Sequence, residues 1–262
     1  SIYLVSPLGG EEKKLVEGDY SCCLNWSPDG KKLAYAGRES PNDQYSIWSL
    51  SVDTLEKQQL VQPAATSADY RPAYSPDGRH LAFFRDSPIF ALFVMRLPRG
   101  EPKLLKRDYP GNPYWTADSR EIVFAAETAQ VGLWRISLEG GEPHRISTRG
   151  EAVGFPTISR NRLAYVSRRG NNDIWRLDLT DNKEMGPPSK PLLSWSSSDD
   201  YEPCVSPDGS RVAFTSDSSG DQEIWVCNTD GSRPAKLTDM KERWAGSPTW
   251  SPDGKWIAFD SV

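Results

Sequence analysis

Polar side chains precede several prolines of this sequence, and together they have the chemistry of a binding site. They are the three residues before Pro72, the three before Pro203 and the one before Pro113. Carboxylates, a guanidinium and an amide can hold a polar ligand through charge and directional hydrogen bonds. We therefore predict a polar ligand-binding pocket lined by Asp69, Tyr70, Arg71, Asn112, Asp200, Tyr201 and Glu202. The alternative is that these are solvated loop residues that pair with one another.

The position before the proline differs from one segment of the chain to the next. Aligned on the prolines, it holds Arg71, Asn112, Phe155, Glu202 and Ser247, with Cys23 at the equivalent place in the first segment. One place earlier stand Cys22, Tyr70, Gly111, Gly154, Tyr201 and Gly246. The same segments agree at their packing positions. The variation before the prolines therefore indicates that packing alone does not determine the residues at this end of each first strand. Such positions on a rigid scaffold often carry function.

Residues that could catalyse a reaction are few. The sequence has no G-x-S-x-G nucleophile motif, and its two histidines, His80 and His144, are expected to be solvated at the surface. We predict no catalytic residue.

Metal and cofactor sites are not indicated either. Cys22 and Cys23 are adjacent, whereas Cys204 and Cys227 stand far from them and no C-x-x-C motif occurs. We expect four free cysteines that behave as small hydrophobic residues. The acidic residues at 199–200 and 217–221 lack the spacing of a calcium-binding loop and are expected to form ordinary turns. No metal and no cofactor is predicted.

A repeated tetrapeptide indicates the elements that must position the polar residues. S-P-D-G occurs at residues 27–30, 75–78, 206–209 and 251–254, with a degenerate copy at 116–119. Serine, proline, aspartate and glycine in this order favour a type I turn that closes a hairpin. After each turn comes an aliphatic residue, a small or β-branched one and an aromatic, as in Leu33-Ala34-Tyr35. A copy with a shortened turn at Leu163-Ala164-Tyr165 brings the number of repeats to six.

Each repeat contains two further strands. The third strand carries an aliphatic residue followed by an aromatic, and its tryptophans, Trp48, Trp134, Trp175 and Trp225, are expected to pack between sheets. A short fourth strand follows a turn. Four strands that recur at intervals of roughly 40 to 50 residues are typical of a propeller blade. We predict an all-β fold, a six-bladed β-propeller of four-stranded antiparallel blades.

The last repeat ends after its second strand, so we expect the other end of the chain to complete it. Residues 1–16 have the pattern of third and fourth strands and would join about 243–262 in blade 6. The prediction is a single propeller domain over residues 1–262. Because the chain starts at a serine, directly before a strand, we expect it to be excised from a larger chain.

The repeats resemble those of the TolB-like (WD40-like) β-propeller family. The resemblance rests on S-P-D-G followed by Lys or Arg, on the [LIV]-A-[FY] strand and on the I-W-x-L strand, and it extends over nearly the whole chain. Blade 4 departs from the pattern, since Ser159-Arg160-Asn161 lacks the proline and the glycine. Its hairpin is expected to be tighter, and its loop up to Trp195, which contains Pro187 and Pro188, to be long.

The function expected from these features is binding or sensing without catalysis. The net charge of −5 gives nucleic acid no general reason to bind, and no apolar run is long enough for a transmembrane segment. A propeller encloses a channel along its axis, and we expect a protein, peptide or small-molecule partner at the mouth of this channel. The resemblance implies a periplasmic or extracytoplasmic location and, as one context, the sensory domain of a bacterial winged-helix regulator. The alternatives are the gating propeller of a prolyl oligopeptidase-like serine peptidase and a free-standing TolB-like protein.

Overall fold

Short antiparallel strands make up the regular structure of the chain. The computed structural model describes residues 1–86, 90–107, 111–126, 132–146, 152–159, 162–169, 171–180, 183–184, 191–193, 198–241 and 244–261. These residues form 25 β-strands. Within them, no helical segment has the length and hydrophobicity needed to span a membrane.

The strands form six small sheets, which we number as blades in chain order. Blade 1 contains β3 (Asp19–Tyr20), β4 (Asn25–Trp26), β5 (Lys32–Arg38), β6 (Ser46–Ser51) and β7 (Lys57–Val61). Blade 2 contains β8 (Ala68–Tyr74), β9 (His80–Asp86), β10 (Phe90–Arg96) and β11 (Lys103–Arg107). Blade 3 contains β12 (Tyr114–Trp115), β13 (Glu121–Ala126), β14 (Gly132–Ser137) and β15 (His144–Ile146). In blade 1 the first strand is split, because β3 and β4 both pair with β5.

The second half of the chain repeats this order and then returns to the first residues. Blade 4 contains β16 (Ala152–Ser159), β17 (Arg162–Arg169), β18 (Asn171–Thr180) and β19 (Lys183–Glu184). Blade 5 contains β20 (Asp200–Val205), β21 (Arg211–Ser216), β22 (Glu223–Asn228) and β23 (Ala235–Lys236). Blade 6 contains β24 (Ala245–Trp250), β25 (Ile257–Ser261), β1 (Ile2–Val5) and β2 (Lys13–Val16). The predicted six-bladed all-β propeller, with the first strands of the chain completing blade 6, is confirmed.

The S-P-D-G turns share one set of hydrogen bonds, which explains why the tetrapeptide recurs. In the first copy the Gly30 N–H donates to the Ser27 carbonyl at 2.9 Å, and Ser27 Oγ donates to Asp29 Oδ1 at 2.6 Å. Ser27 Oγ also accepts the Lys32 N–H at 2.9 Å. The glycine has a φ of +71°, a left-handed conformation that glycine adopts at little steric cost. Each turn is therefore held by its own four residues and the next two.

Hydrophobic clusters fill the interfaces between neighbouring blades. Blades 6 and 1, for example, bury Ile2, Leu4 and Leu33 together. A tryptophan at the end of a first strand adds a hydrogen bond to the preceding blade, since Trp26 Nε1 donates to the Thr249 carbonyl at 3.1 Å. The tryptophans of blades 3 and 6 do the same. The third-strand tryptophans Trp48, Trp134, Trp175 and Trp225 are half-buried and pack against four of these clusters. Apolar burial of this kind is the main force that holds sheets face to face.

Blade 4 shows the expected departure at its first hairpin. Ser159 pairs directly with Arg162, whereas Trp26 pairs with Leu33 across the full turn of blade 1. The long loop predicted in this blade, with Pro187, Pro188 and Trp195, lies largely outside the described residues.

Candidate functional site

A backbone irregularity at the same place in several first strands builds the candidate site. In blade 2 the pairing with the second strand shifts between Tyr70 and Ala73, and blades 4, 5 and 6 shift at the equivalent point. This is a β-bulge, which re-aims a side chain and interrupts the ladder.

The residue before the proline lies in the left-handed region of backbone conformation. Its φ is +53° at Arg71, +51° at Glu202 and +52° at Ser247, and Cys23 and Phe155 also have positive values. Each such non-glycine residue costs about 1 kcal/mol or more and persists only where the surrounding structure holds it. The bulge thus belongs to the blade architecture, and the residue placed on it is what differs among blades.

These bulges surround a cavity of about 210 Å³ on the axis of the ring, which we call the axial cavity. All six blades contribute to its lining. Each blade contributes two or more lining residues, among them Cys23, Ala73, Asn112, Thr157, Glu202 and Ser247. A second cavity of about 360 Å³, which we call the mouth pocket, is lined by Ser21, Cys22, Tyr70, Arg71, Phe84, Asp86 and Phe90. The adjacent residues Cys22 and Cys23 belong to one cavity each.

Glu202 is held firmly in the axial cavity. Its carboxylate accepts the Ser247 N–H at 2.6 Å and the Thr215 hydroxyl at 3.5 Å. Burial raises the pKa of Glu202, while these hydrogen bonds and the positive charge of Arg71 act in the opposite direction. Glu202 therefore joins blades 5 and 6 and leaves a carboxylate facing the axis.

A second carboxylate, Asp260 on β25, lies next to Glu202. Its burial and the charge of Glu202 raise the pKa of Asp260 to about 6. Its Oδ1 atom is buried and has no hydrogen-bond partner among the residues that the structure describes. Gly246 lies opposite Asp260 in the ladder, and a Cβ there would be in ordinary van der Waals contact with both groups, 3.4 Å from Glu202 Oε2 and 3.8 Å from Asp260 Oδ1.

Arg71 supplies the opposite charge at the same end of the ring. It interacts electrostatically with the sulfur atoms of Cys22 and Cys23 and with the carboxylate of Glu202. Asn112 Oδ1 lies 3.7 Å from the sulfur of Cys23. The two cavities therefore offer the carboxylates of Glu202 and Asp86, a guanidinium, an amide and two thiols, and Asp260 lies beside Glu202 without lining either cavity.

Four of the seven predicted site residues meet at these cavities. Asn112 and Glu202 line the axial cavity, and Tyr70 and Arg71 line the mouth pocket. Asp69 is fully buried and forms a bidentate ion pair with Arg85, at 2.7 and 2.8 Å. Asp200 is also fully buried, and neither it nor the half-buried Tyr201 lines either cavity.

Four residues of the site were not selected from the sequence. Cys22, Cys23 and Ser247 stand at the aligned positions before the prolines, so the signal was present in the variation among repeats. Asp260 has no such signal, because it continues an ordinary second strand after Phe259.

The arrangement is suited to binding. In the part of the chain that the structure describes, no group of three or more His, Cys, Asp or Glu side chains is placed to hold a metal ion. Opposite charges that are fixed on different blades can instead orient a polar ligand or a polar segment of another protein. The fold and this site define a six-bladed propeller with a charged cavity on its axis.

Comparison with known families agrees with this class. Residues 9–200 match the sequence model of the TolB beta propeller domain, and the chain belongs to this family. A solved structure described as TolB, from Agrobacterium tumefaciens, superposes on 100% of this chain and 98% of that chain with a TM-score of 0.80 and 20% sequence identity. At this identity the similarity concerns the fold.

Two curated relatives share short segments with the chain. The Tol-Pal system protein TolB of Desulfosudis oleivorans is 42% identical over 52 residues, which are 20% of this chain and 12% of that protein. The uncharacterized peptidase YuxL of Bacillus subtilis is 42% identical over 57 residues, 21% of this chain and 8% of that protein. The matched segments thus span about an eighth or less of either relative.

Proposed function

We propose that this propeller is a non-enzymatic binding module that recognises a polar segment of a protein partner, or a polar small ligand, at the axial cavity and the mouth pocket. The observation that carries the proposal is that Arg71, Asn112 and Glu202 stand directly before a proline on three blades and line the two cavities, Asn112 and Glu202 the axial cavity and Arg71 the mouth pocket. The left-handed bulge is shared by several blades, so the support for the proposal comes from the charged side chains that Arg71 and Glu202 place on it.

The size of the cavities supports a small or narrow occupant. About 210 Å³ in the axial cavity is less than the 300–1,000 Å³ of ordinary ligand pockets, whereas about 360 Å³ in the mouth pocket falls inside that range. A single side chain or a chain end would enter the axis, and the flanking group would occupy the mouth pocket. Membership of the TolB family supports an extracytoplasmic location for this binding.

The test is a thermal-shift screen of the chain against short peptides, sugars, nucleotides and small zwitterions, because a ligand of the native state raises the melting temperature. Any binder is then titrated against the double variant Arg71→Ala and Glu202→Ala. Removing both charges together avoids leaving one buried charge uncompensated. We expect the affinity to fall by at least about tenfold, while the melting temperature stays within a few degrees.

The matched control is the double variant Glu101→Ala and Lys103→Ala, which also removes one charge of each sign but from exposed positions. It should bind like the unaltered chain. Equal affinity in the two double variants would contradict the placement of the site at the mouth of the channel.

A second candidate is the gating propeller of a serine peptidase, which the match to the peptidase YuxL favours. A fluorophosphonate probe applied to the full-length natural protein distinguishes the two. Labelling would indicate a serine hydrolase domain joined to this propeller and would favour the gating function, whereas an unlabelled full-length protein supports the binding module.

A further inference from the structure

Two adjacent cysteines stand where the axial cavity and the mouth pocket meet. The sulfur atoms of Cys22 and Cys23 are 2.7 Å apart, and the Cys23 thiol can donate its one proton either to Cys22 or to Asn112 Oδ1. Both residues are half-buried. Cys227, in contrast, is packed inside a hydrophobic cluster between blades 4 and 5. The pair is therefore in contact and reachable through a cavity, which Cys227 is not.

The hydrogen bond between the two thiols, their burial and the nearby charges shift the pKa values of Cys22 and Cys23 in opposite directions. The hydrogen bond from Cys23 lowers the pKa of Cys22, and Arg71 acts in the same direction, against burial and the carboxylates of Glu202 and Asp260. For Cys23, the hydrogen bond to Cys22 and burial raise the pKa well above its usual value. A sulfur that ionises more readily next to one that keeps its proton is the arrangement in which a nucleophilic sulfur has a resolving partner.

Access favours Cys22 as the sulfur that reacts first. It lines the mouth pocket together with Ser21, Tyr70 and Phe90, and the Phe90 side chain at its rim is 49% exposed. A small oxidant can enter a cavity of about 360 Å³. Cys23 lines the adjoining axial cavity. Its sulfur can therefore react with the sulfenic acid that forms on Cys22.

We propose that Cys22 and Cys23 form a redox modification site, at which small hydroperoxides convert the two thiols into a disulfide between adjacent residues. The Cys22 thiolate attacks one oxygen of the hydroperoxide, the O–O bond breaks, and a sulfenic acid and hydroxide (or an alkoxide) result. The Cys23 thiol then attacks the sulfenic sulfur, and water leaves as the S–S bond forms. The two thiols lose two electrons in total, and the peroxide gains them.

The product is expected to be readily reduced. Neighbouring Cα atoms are about 3.8 Å apart, which is less than the roughly 4.4–6.8 Å that unstrained disulfides prefer, and strained disulfides have more oxidising potentials. Oxidation removes the Cys22 thiol group beside Arg71 and the Cys23 thiol group that faces Asn112. The modification itself does not depend on the proposed function, whereas any effect on ligand affinity would.

The experiment treats the reduced chain with hydrogen peroxide, alkylates the remaining thiols with N-ethylmaleimide and maps the tryptic peptides by mass spectrometry. Both cysteines fall in the peptide 15–31, while Cys204 and Cys227 fall in two others. We expect the peptide 15–31 to lose two hydrogens, to carry no maleimide and to regain two maleimides after treatment with dithiothreitol. It should react at least about tenfold faster than Cys227, an internal control with a buried thiol.

Single variants separate the two roles. In Cys23→Ser we expect a sulfenic acid on Cys22 that dimedone traps, and in Cys22→Ser little reaction at residue 23. Peptide 15–31 with two maleimides after peroxide treatment would overturn the proposal, and so would a disulfide from Cys22 to Cys204. The maleimide count of peptide 15–31 is measured on the unaltered chain, so the proposal can be tested even where a variant fails to fold.

Discussion

Individual residues at the axis combine backbone strain with partly buried charge. Arg71 and Glu202 occupy left-handed bulge positions, and Asp260 adds a second carboxylate whose Oδ1 is buried. Neither feature helps the chain to fold, because strain and desolvated charge both raise the free energy of the native state. Such groups at the mouth of a propeller support the binding function proposed above.

Asp260 allows a prediction at this scale. Because its pKa in the folded chain is raised to about 6, its protonated form is stabilised by folding. That contribution is present in full below the unfolded pKa of 3.8 and is lost as the pH rises through about 6. Glu202 faces Asp260 and raises its pKa, whereas Ser247 and the N-terminal ammonium lower it.

Asp260→Asn should therefore raise the melting temperature at pH 8 by a few degrees, which corresponds to about 1–3 kcal/mol. This increase in melting temperature should become smaller towards pH 5, where Asp260 is already largely protonated in the folded state. Thermal unfolding from pH 5 to 8 measures it, with Asp221→Asn, at an exposed position, as the matched control. A difference from the unaltered chain that does not change with pH would contradict the assignment.

At the scale of elements, each first strand leads into a hairpin turn at one end and carries residues of the proposed binding site at the other. The S-P-D-G turn at one end is locally satisfied, and its aspartates have lowered pKa values because serine hydroxyls and backbone N–H groups donate to them. In blade 3, Ser119 replaces the glycine with a φ of +60° and its Oγ accepts the Asp77 N–H of blade 2 at 3.1 Å. That hydrogen bond helps to hold the non-glycine residue in place.

Asp208 in blade 5 tests the contribution of the turn. Hydrogen bonds from the Ser206 hydroxyl and from the Ser210 N–H and hydroxyl lower its pKa to about 2. Asp208→Ala should cost about 0.5–1 kcal/mol at neutral pH, a modest value because the turn is solvent-exposed. Asp208→Asn should lose less, since its amide oxygen can still accept. Urea denaturation of both variants measures this, and equal losses would show that the acceptor is not what matters.

The Asp208 contribution should also depend on pH. A lowered folded pKa means that the stabilisation is present above the unfolded value of 3.8 and is lost as the pH falls towards about 2. The stability difference between the unaltered chain and Asp208→Ala should therefore narrow in acid.

The sequence predicts the fold well because its signals are local. The turn tetrapeptide occurs four times, with one degenerate copy and one shortened turn, and the strand pattern that follows it recurs in all six repeats. The site is predicted only in part. Residues 71 and 202 line the cavities and stand before the prolines that mark their bulges, whereas Asp69 lines neither cavity because the alternation of side chains along β8 turns it towards Arg85. Asp260 comes from a second strand, and only the closed ring brings it to the axis.

For the whole molecule, the decisive contact is the one between the two ends of the chain. β1 pairs with β25 over four residues, and the Ser1 ammonium donates to the Ser261 carbonyl at 2.8 Å. Tyr3 stacks on Phe259 with ring centroids 5.4 Å apart. The blade that carries Asp260 and Ser247 is thus completed by the first strands, so closure of the ring and the shape of the axial cavity are linked.

Deleting residues 1–16 should open this blade. Burial of an aliphatic side chain contributes about 1.5–3 kcal/mol, and the deletion removes Ile2, Leu4 and Val5, all of them buried. It also leaves β25 as an unpaired edge, which can join another chain. We expect the free energy of unfolding to fall by several kcal/mol and the variant to associate in a concentration-dependent way in sedimentation.

Leu4→Ala should be destabilised by about 2–5 kcal/mol yet stay monomeric, because its edge remains covered. Leu8→Ala, 88% exposed, should be neutral. A deletion variant that stays monomeric and as stable as the unaltered chain would show that the ring does not depend on this closure.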